Sequence, residues 1–203
     1  MGEPGAAPSP GEARRATTAA RLLDAARDVF SETGYASARV EDIVTRAGVS
    51  HGTFYTHYPN KAAVLDALVR RSAGRIGAIA ETPWVTEGGA DARVDVERVI
   101  ADLLAVFTEE RVVNAAWLEA AAQDRHFADL LGEVRASFIT RVARTLARLD
   151  VAAEHDPVVA ARALVAMVES FALDDRDGGD RHAVVATLAS IWDAGVRALR
   201  TGE

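Results

Sequence analysis

The sequence predicts an all-α protein of about nine helices, and three observations carry that reading. Apolar residues recur three and four positions apart in block after block, the period of one helix face. Alanine, leucine, valine and arginine dominate while aromatics make up only 6% of the 203 residues, which favours helix over sheet. No stretch alternates apolar and polar residues as a half-buried strand would, and no internal repeat is visible. With 49% apolar residues the chain can bury a sizeable core.

Met1 to about Ala16 is rich in Pro, Gly and Ala without an apolar period, so residues 1–16 read as a disordered arm. Arg14 and Arg15 end it, either as a solvated tail or as a contact to phosphate or a minor groove. Thr17 or Thr18 can cap a first helix to about Glu32, with Leu22, Leu23, Ala26, Val29 and Phe30 as its stripe and Gly34 as its stop.

The next segment is the most informative. In VEDIVTRAGVSHGTFYTHYPNK, Val40 to Lys61, the residues Val40, Ile43, Val44 and Ala47 mark one short helix with a single apolar face. Gly48 follows where a left-handed C-cap is cheapest for glycine, Val49 can plug the space between helices, and Ser50 is a good N-cap. The second helix runs from about His51 to Tyr58. Phe54 and Tyr58 can face inward, leaving His51, Gly52, Thr53, Tyr55 and His57 on other faces. Two short helices joined by a glycine turn form the unit that lays one helix in a DNA major groove.

These residues carry a family resemblance. RLLDAARDVFSETGY, then EDIVTRAGVS, then GTFYTHYPNKAAVL resemble the N-terminal domain of the TetR family of transcriptional regulators. The resemblance implies a helix-turn-helix DNA-binding domain over residues 17–62 and a helical ligand-binding and dimerisation domain over 63–203. It implies DNA contacts from Ser50, His51, Gly52, Thr53, Tyr55 and His57. His51 and Thr53 fall where bases are reached, and Tyr55 and His57 where backbone is met. Lys61 matches a frequent phosphate contact. The family usually has Thr or Ser just before Val40; this chain has Ala38-Arg39, so the hydroxyl contact is absent and Arg39 is the candidate for a charge-assisted phosphate contact in its place.

Pro59-Asn60 ends the second helix of the pair and opens a fourth that reaches about Ala80. Glu81–Asp91, with Pro83 and Gly88-Gly89, reads as a loop in which Trp84 is anchored. Further helices follow at about Val94–Glu109, Val112–Ala122, Arg125–Leu149, Pro157–Leu173 and His182–Arg200. Asp156 before Pro157 is a cap followed by proline at the first helical position, and Asp174–Asp180 is a loop.

From Val112 to Leu199 the order of aromatic and apolar residues is similar to the ethionamide-resistance repressor branch, including Trp192. That branch engages ligand through asparagines in the eighth helix. The matching positions here are Val165 and Val168, so no polar ligand contact carries over and a more apolar pocket is expected. Its candidate lining is Phe107, Asn114, Trp117, Phe138, Met167 and Trp192, with Glu119 and Gln123 nearby. The same residues suit an ordinary core, because a helical stripe looks alike in both roles. Small residues in the last two helices (Ala160, Ala161, Ala163, Ala166, Ala186, Ala189 and Gly195) suit the homodimer interface that the family builds there.

Charge is distributed unevenly. The net value is −7, yet residues 1–75 hold ten Lys/Arg against eight Asp/Glu, so the acidity lies beyond them. A ligand-sequestering helical protein therefore stands as the alternative to a regulator. An enzyme is not expected. The histidines at 51, 57, 126, 155 and 182 form no HExxH pair, and no GxSxG, Walker or GxGxxG pattern occurs. No cofactor is implied, and the Asp174, Asp175, Asp177, Asp180 cluster lacks a calcium-loop spacing. There is no cysteine, no opening basic-then-apolar segment and no membrane-length apolar run, so a soluble, cytoplasmic protein is expected. The expected partners are a double-stranded DNA operator, a small hydrophobic effector that releases it, and a second copy of the chain.

Overall fold

A computed structural model describes residues 9–81, 92–148, 155–173 and 180–201. These residues form nine helices and no strand: α1 Pro10–Ser37, α2 Val40–Ala47, α3 His51–His57, α4 Lys61–Glu81, α5 Ala92–Glu109, α6 Arg111–Ala121, α7 Arg125–Ala147, α8 Pro157–Leu173 and α9 Arg181–Thr201. The expected loop around Trp84 and the run Asp174–Asp177 lie outside the described residues.

The first helix begins earlier than its sequence suggests. Ser9 closes a capping box: the Glu12 N–H donates to Ser9 Oγ at 3.3 Å, and the Ser9 N–H donates to Glu12 Oε2 at 2.8 Å. Pro10 occupies the first helical position, where its missing donor costs nothing. Residues 10–16 are thus helical, not a disordered arm. Thr17 and Thr18 are interior, their hydroxyls donating to the carbonyls of Ala13 and Arg14. At the far end Gly34 adopts φ 75° and ψ 165°, a conformation essentially confined to glycine, and breaks the helix before Tyr35.

Two apolar cores organise the chain. The first gathers Leu22, Val29 and Phe30 of α1, Ile43 and Val44 of α2, and Phe54 of α3. It also takes Val64, Leu65, Leu68 and Val69 from α4, Val113 and Trp117 from α6, and Phe127 and Leu130 from α7. The packing therefore runs straight through residue 62, where the sequence suggested a division. The second core joins Ile76 of α4 to Ile100, Leu103 and Leu104 of α5, Val142 and Leu146 of α7, Leu164 and Val168 of α8, and Leu188 and Trp192 of α9. Helix α4, 21 residues and about 30 Å long at 1.5 Å per residue, is shared by both.

Candidate nucleic-acid interface and effector groove

Helix α3 is positioned by its neighbours rather than by its own seven residues, which are too few to hold a helix in water. Before it, the Gly48 N–H donates to the Thr45 carbonyl at 3.2 Å and the Val49 N–H to the Val44 carbonyl at 3.1 Å, a Schellman ending. Gly48 sits at φ 61°, and a Cβ there would lie 3.1 Å from an Arg21 guanidinium nitrogen. That guanidinium in turn donates to the Ala47 carbonyl, capping α2 from outside. Ser50 then caps α3, its Oγ accepting the Thr53 N–H at 3.1 Å.

Phe54 is fully buried and fixes which face of α3 turns inward. Tyr55, set edge-to-face against it at 5.4 Å, is 57% exposed and points away from the core. His51, Gly52 and Thr56 are exposed on the outer surface, while Thr53 and His57 are half-buried. The Thr53 hydroxyl lies 2.9 Å from Ser50 Oγ, so part of its bonding capacity is used within the cap. A Cβ at Gly52 would meet only Ser50 Oγ at 3.8 Å, an ordinary contact. Nothing in the fold requires glycine there, although alanine would favour the helix by about 1 kcal/mol. The residue keeps a flat outer surface instead.

The cations around this helix divide sharply. Arg46 makes a two-pronged pair with Glu32, at 2.5 and 2.7 Å, and Arg21 is engaged with Ala47. Arg39 is exposed and forms the N-cap of α2 without a side-chain cap bond. Arg14 and Arg15 are exposed on the first turns of α1.

Lys61 departs from its expected role as a phosphate contact. Its ammonium donates to the carbonyls of Tyr35, Ala36 and Ala38 at 2.8, 2.9 and 2.9 Å, and lies 4.8 Å from the Tyr35 ring centroid. All three N–H donors of a lysine are thereby occupied inside the protein. Burial holds its pKa below the ordinary lysine value, with the Glu119 charge pulling the other way. Here Lys61 is a brace for the turn between α1 and α2.

That turn is held from a second side. Glu119 of α6 accepts the Tyr35 N–H at 2.8 Å and the Ala36 N–H at 3.1 Å through its two carboxylate oxygens. A further tie lies deeper. The Glu110 carboxylate, only 3% exposed, meets Arg75 of α4 at 2.6 Å and Arg27 of α1 at 3.5 Å, and the Arg27 guanidinium also donates to the Glu109 carbonyl. A buried carboxylate is tolerable when paired this way and costly when a partner is removed. Sequence reading noted Glu119 only as a nearby polar group. The long separations in the chain left no signal for either tie.

Between α1 and α6 lies a groove of about 400 Å³, walled by Phe30, Tyr35, Phe107, Val112 and Leu118. Its polar lining includes Asn114 and Glu119. Of the expected ligand residues, Phe107 and Asn114 reach it. Trp117 does not: it is buried in the first core, where its indole N–H donates to the Phe127 carbonyl at 3.1 Å. Phe138 and Met167 lie against the second core and Trp192 is buried within it, as are Val165 and Val168. A cavity wall and a core share one helical spacing, and in these four cases the core took the residue. Gly34, Tyr35 and Leu118 were missed as lining, because a groove between distant helices leaves no periodic trace.

Among the described residues no cluster of His, Cys, Asp or Glu could hold a metal ion, and no helix is long and apolar enough to cross a membrane.

Comparison with known proteins agrees with this geometry. Residues 22–68 match the family model for bacterial regulatory proteins of the tetR family. The HTH-type transcriptional regulator UidR of Escherichia coli (strain K12) is 38% identical over 58 residues, which are 29% of this chain and 30% of that protein. The fatty acid metabolism regulator protein of Bacillus subtilis (strain 168) is 36% identical over 55 residues, 27% of this chain and 28% of that one. These alignments span less than a third of either relative. In overall fold, GusR of Salmonella enterica is similar with a TM-score of 0.72 at 21% identity, covering 89% of this chain and 96% of that one. The putative TetR-family transcriptional regulator from Syntrophomonas wolfei gives 0.73 at 16% identity, covering 93% of this chain and 99% of that one. Residues 22–68 thus match the DNA-binding domain of the tetR family of bacterial regulatory proteins, and the chain as a whole shares the fold of solved regulators of that type.

Proposed function

We propose that the protein is a transcriptional repressor that binds a pseudo-palindromic operator as a homodimer and leaves it when a small, largely apolar effector binds. The observation that carries this reading is the outer face of α3. Tyr55 and His51 are exposed around a glycine that the fold does not require, on a helix whose inner face is locked by a fully buried Phe54. Such a surface fits the major groove: hydroxyl and imidazole groups reach phosphates and base edges, and the glycine admits close approach. Arg39, Arg14 and Arg15 supply cations for the flanking phosphates. Lys61 acts indirectly, by holding the α1–α2 turn.

The dimer is supported by unpartnered apolar surface on the last two helices. Val158, Val159 and Phe171 of α8 and Ile191 of α9 are 47%, 64%, 53% and 48% exposed. A Cβ at Gly195 would meet nothing within 4 Å, so the backbone of α9 is open there to close approach. A twofold pairing of these faces covers that surface and sets two α3 helices for successive grooves, about 34 Å apart. The protein then works where DNA is, in the cytoplasm. The effector reading extends to this chain the ligand-binding role that the family resemblance implies for residues 63–203.

The test is selection of genomic fragments by the purified protein, followed by mobility-shift titration of what is recovered. A short inverted repeat, bound by the wild type and lost on Tyr55→Ala, supports the proposal. Uniform recovery across the genome points instead to a ligand-sequestering protein.

A further inference from the structure

The effector site named above has no address in the family match, which ends at residue 68. The geometry points to one: we infer that the α1–α6 groove is the ligand site, and that it takes a neutral, mostly apolar molecule carrying one carbonyl or hydroxyl group. This inference rests on the effector reading and gives it a position and a chemistry.

Two observations combine. The first is shape, since a volume of about 400 Å³ lies within the range that holds small organic ligands. Its walls are aromatic and aliphatic, from Phe30 and Tyr35 on one side to Val112 and Leu118 on the other. The second is Asn114. Its carboxamide lines the groove, and the residue is only 8% exposed. A carboxamide set among apolar walls offers one donor group and one acceptor to whatever fills the groove. A carbonyl on the ligand would accept from its NH₂, and a hydroxyl would donate to its oxygen.

Charge argues for neutrality. The lining carries Glu119 and Arg111, one of each sign, so a charged ligand gains little net attraction. Both Glu119 oxygens already accept main-chain N–H groups, which leaves the carboxylate content without a ligand cation.

The same residues connect occupancy to DNA. Tyr35 forms part of the wall, and its N–H and that of Ala36 are held by Glu119, which also lines the groove. A molecule that spreads α1 from α6 acts on this carboxylate clamp, whose Ala36 lies four residues before α2 begins at Val40. It needs only to bind the spread state better than the closed one.

The test uses the full-length protein and the neutral, carbonyl-bearing dye Nile red. Its fluorescence should rise on titration with wild type. Leu118→Trp, an exposed position on the groove rim, should abolish that rise without lowering the melting temperature. Asn114→Leu, close to isosteric, should weaken the dye roughly tenfold through loss of one hydrogen bond. Amide exchange within residues 34–38 should change with dye in the wild type and not in Leu118→Trp. No fluorescence rise with wild type overturns the inference. So does binding that survives both substitutions with exchange changes confined to α8 and α9; the effector reading would then stand, with its site elsewhere. Binding in the groove that leaves affinity for the recovered DNA unaltered confirms the site and removes its regulatory role.

Discussion

Tyr55 and Lys61 are six residues apart and do opposite work. One projects into solvent from a helix it does not hold together, and the other is folded inward onto three carbonyls. Tyr55→Ala should therefore leave the melting temperature within about 2 °C, as surface substitutions do, while weakening DNA binding. Lys61→Ala removes three charge-assisted bonds to the α1–α2 turn. It should cost about 1.5–3 kcal/mol, read as a melting temperature several degrees lower by calorimetry. Equal melting temperatures for the two variants would contradict the brace. The difference between these residues was only half legible in the sequence. Phe54 and Tyr58, four apart, imply the outward Tyr55. The carbonyls that capture Lys61 lie 23 to 26 positions earlier, a tertiary meeting that no local pattern encodes.

Helix α4 is where the two cores and the α1–α2 turn are tied together, so its contacts set how movement is shared. Besides Lys61 at its start and Arg75 further on, it carries Asp66, whose carboxylate meets His126 Nε2 of α7 at 2.8 Å and Arg70 at 2.6 Å. Burial works to raise the Asp66 pKa, but the hydrogen bonds from Arg70 and His126 outweigh it and the net shift is downward. A depressed carboxylate pKa contributes stability above the unfolded value, about 3.9, that is lost as pH falls through the folded one. Wild-type stability should accordingly drop on acidification below about pH 4, and Asp66→Asn should flatten that part of the profile in chemical unfolding. Identical acid limbs would remove this tie from the account. Element boundaries were otherwise well marked in the sequence: Gly48, Ser50 and Asp156-Pro157 each carry local turn or cap chemistry. The start of α1 was marked too, by Ser9 and Glu12 three apart. The Pro/Gly/Ala richness around that pair resembles disorder and hides it.

At the scale of the whole molecule, the proposed dimer places the contact between copies on α8 and α9. Val159 and Ile191 are the exposed apolar anchors of α8 and α9. The double variant Val159→Glu, Ile191→Glu should sediment as a monomer with its helical content retained, and a persisting dimer would place the interface elsewhere. Fold and family were legible because Gly48, Ser50, Phe54 and their neighbours specify a turn and a buried anchor by local chemistry. The groove was not. Phe107 and Asn114 line it while Trp117, at the same kind of helical spacing, fills a core, and only the approach of α1 to α6 separates them.

The central claim is that a pair of α3 helices enters adjacent major grooves of one duplex. Footprinting of the dimer on the fragment recovered from genomic selection tests it most directly. The account predicts two protected half-sites in inverted orientation, centred about one helical turn (roughly 34 Å) apart, with protection lost on Tyr55→Ala. Protection of a single site, or an unchanged footprint with the Tyr55 variant, would contradict it.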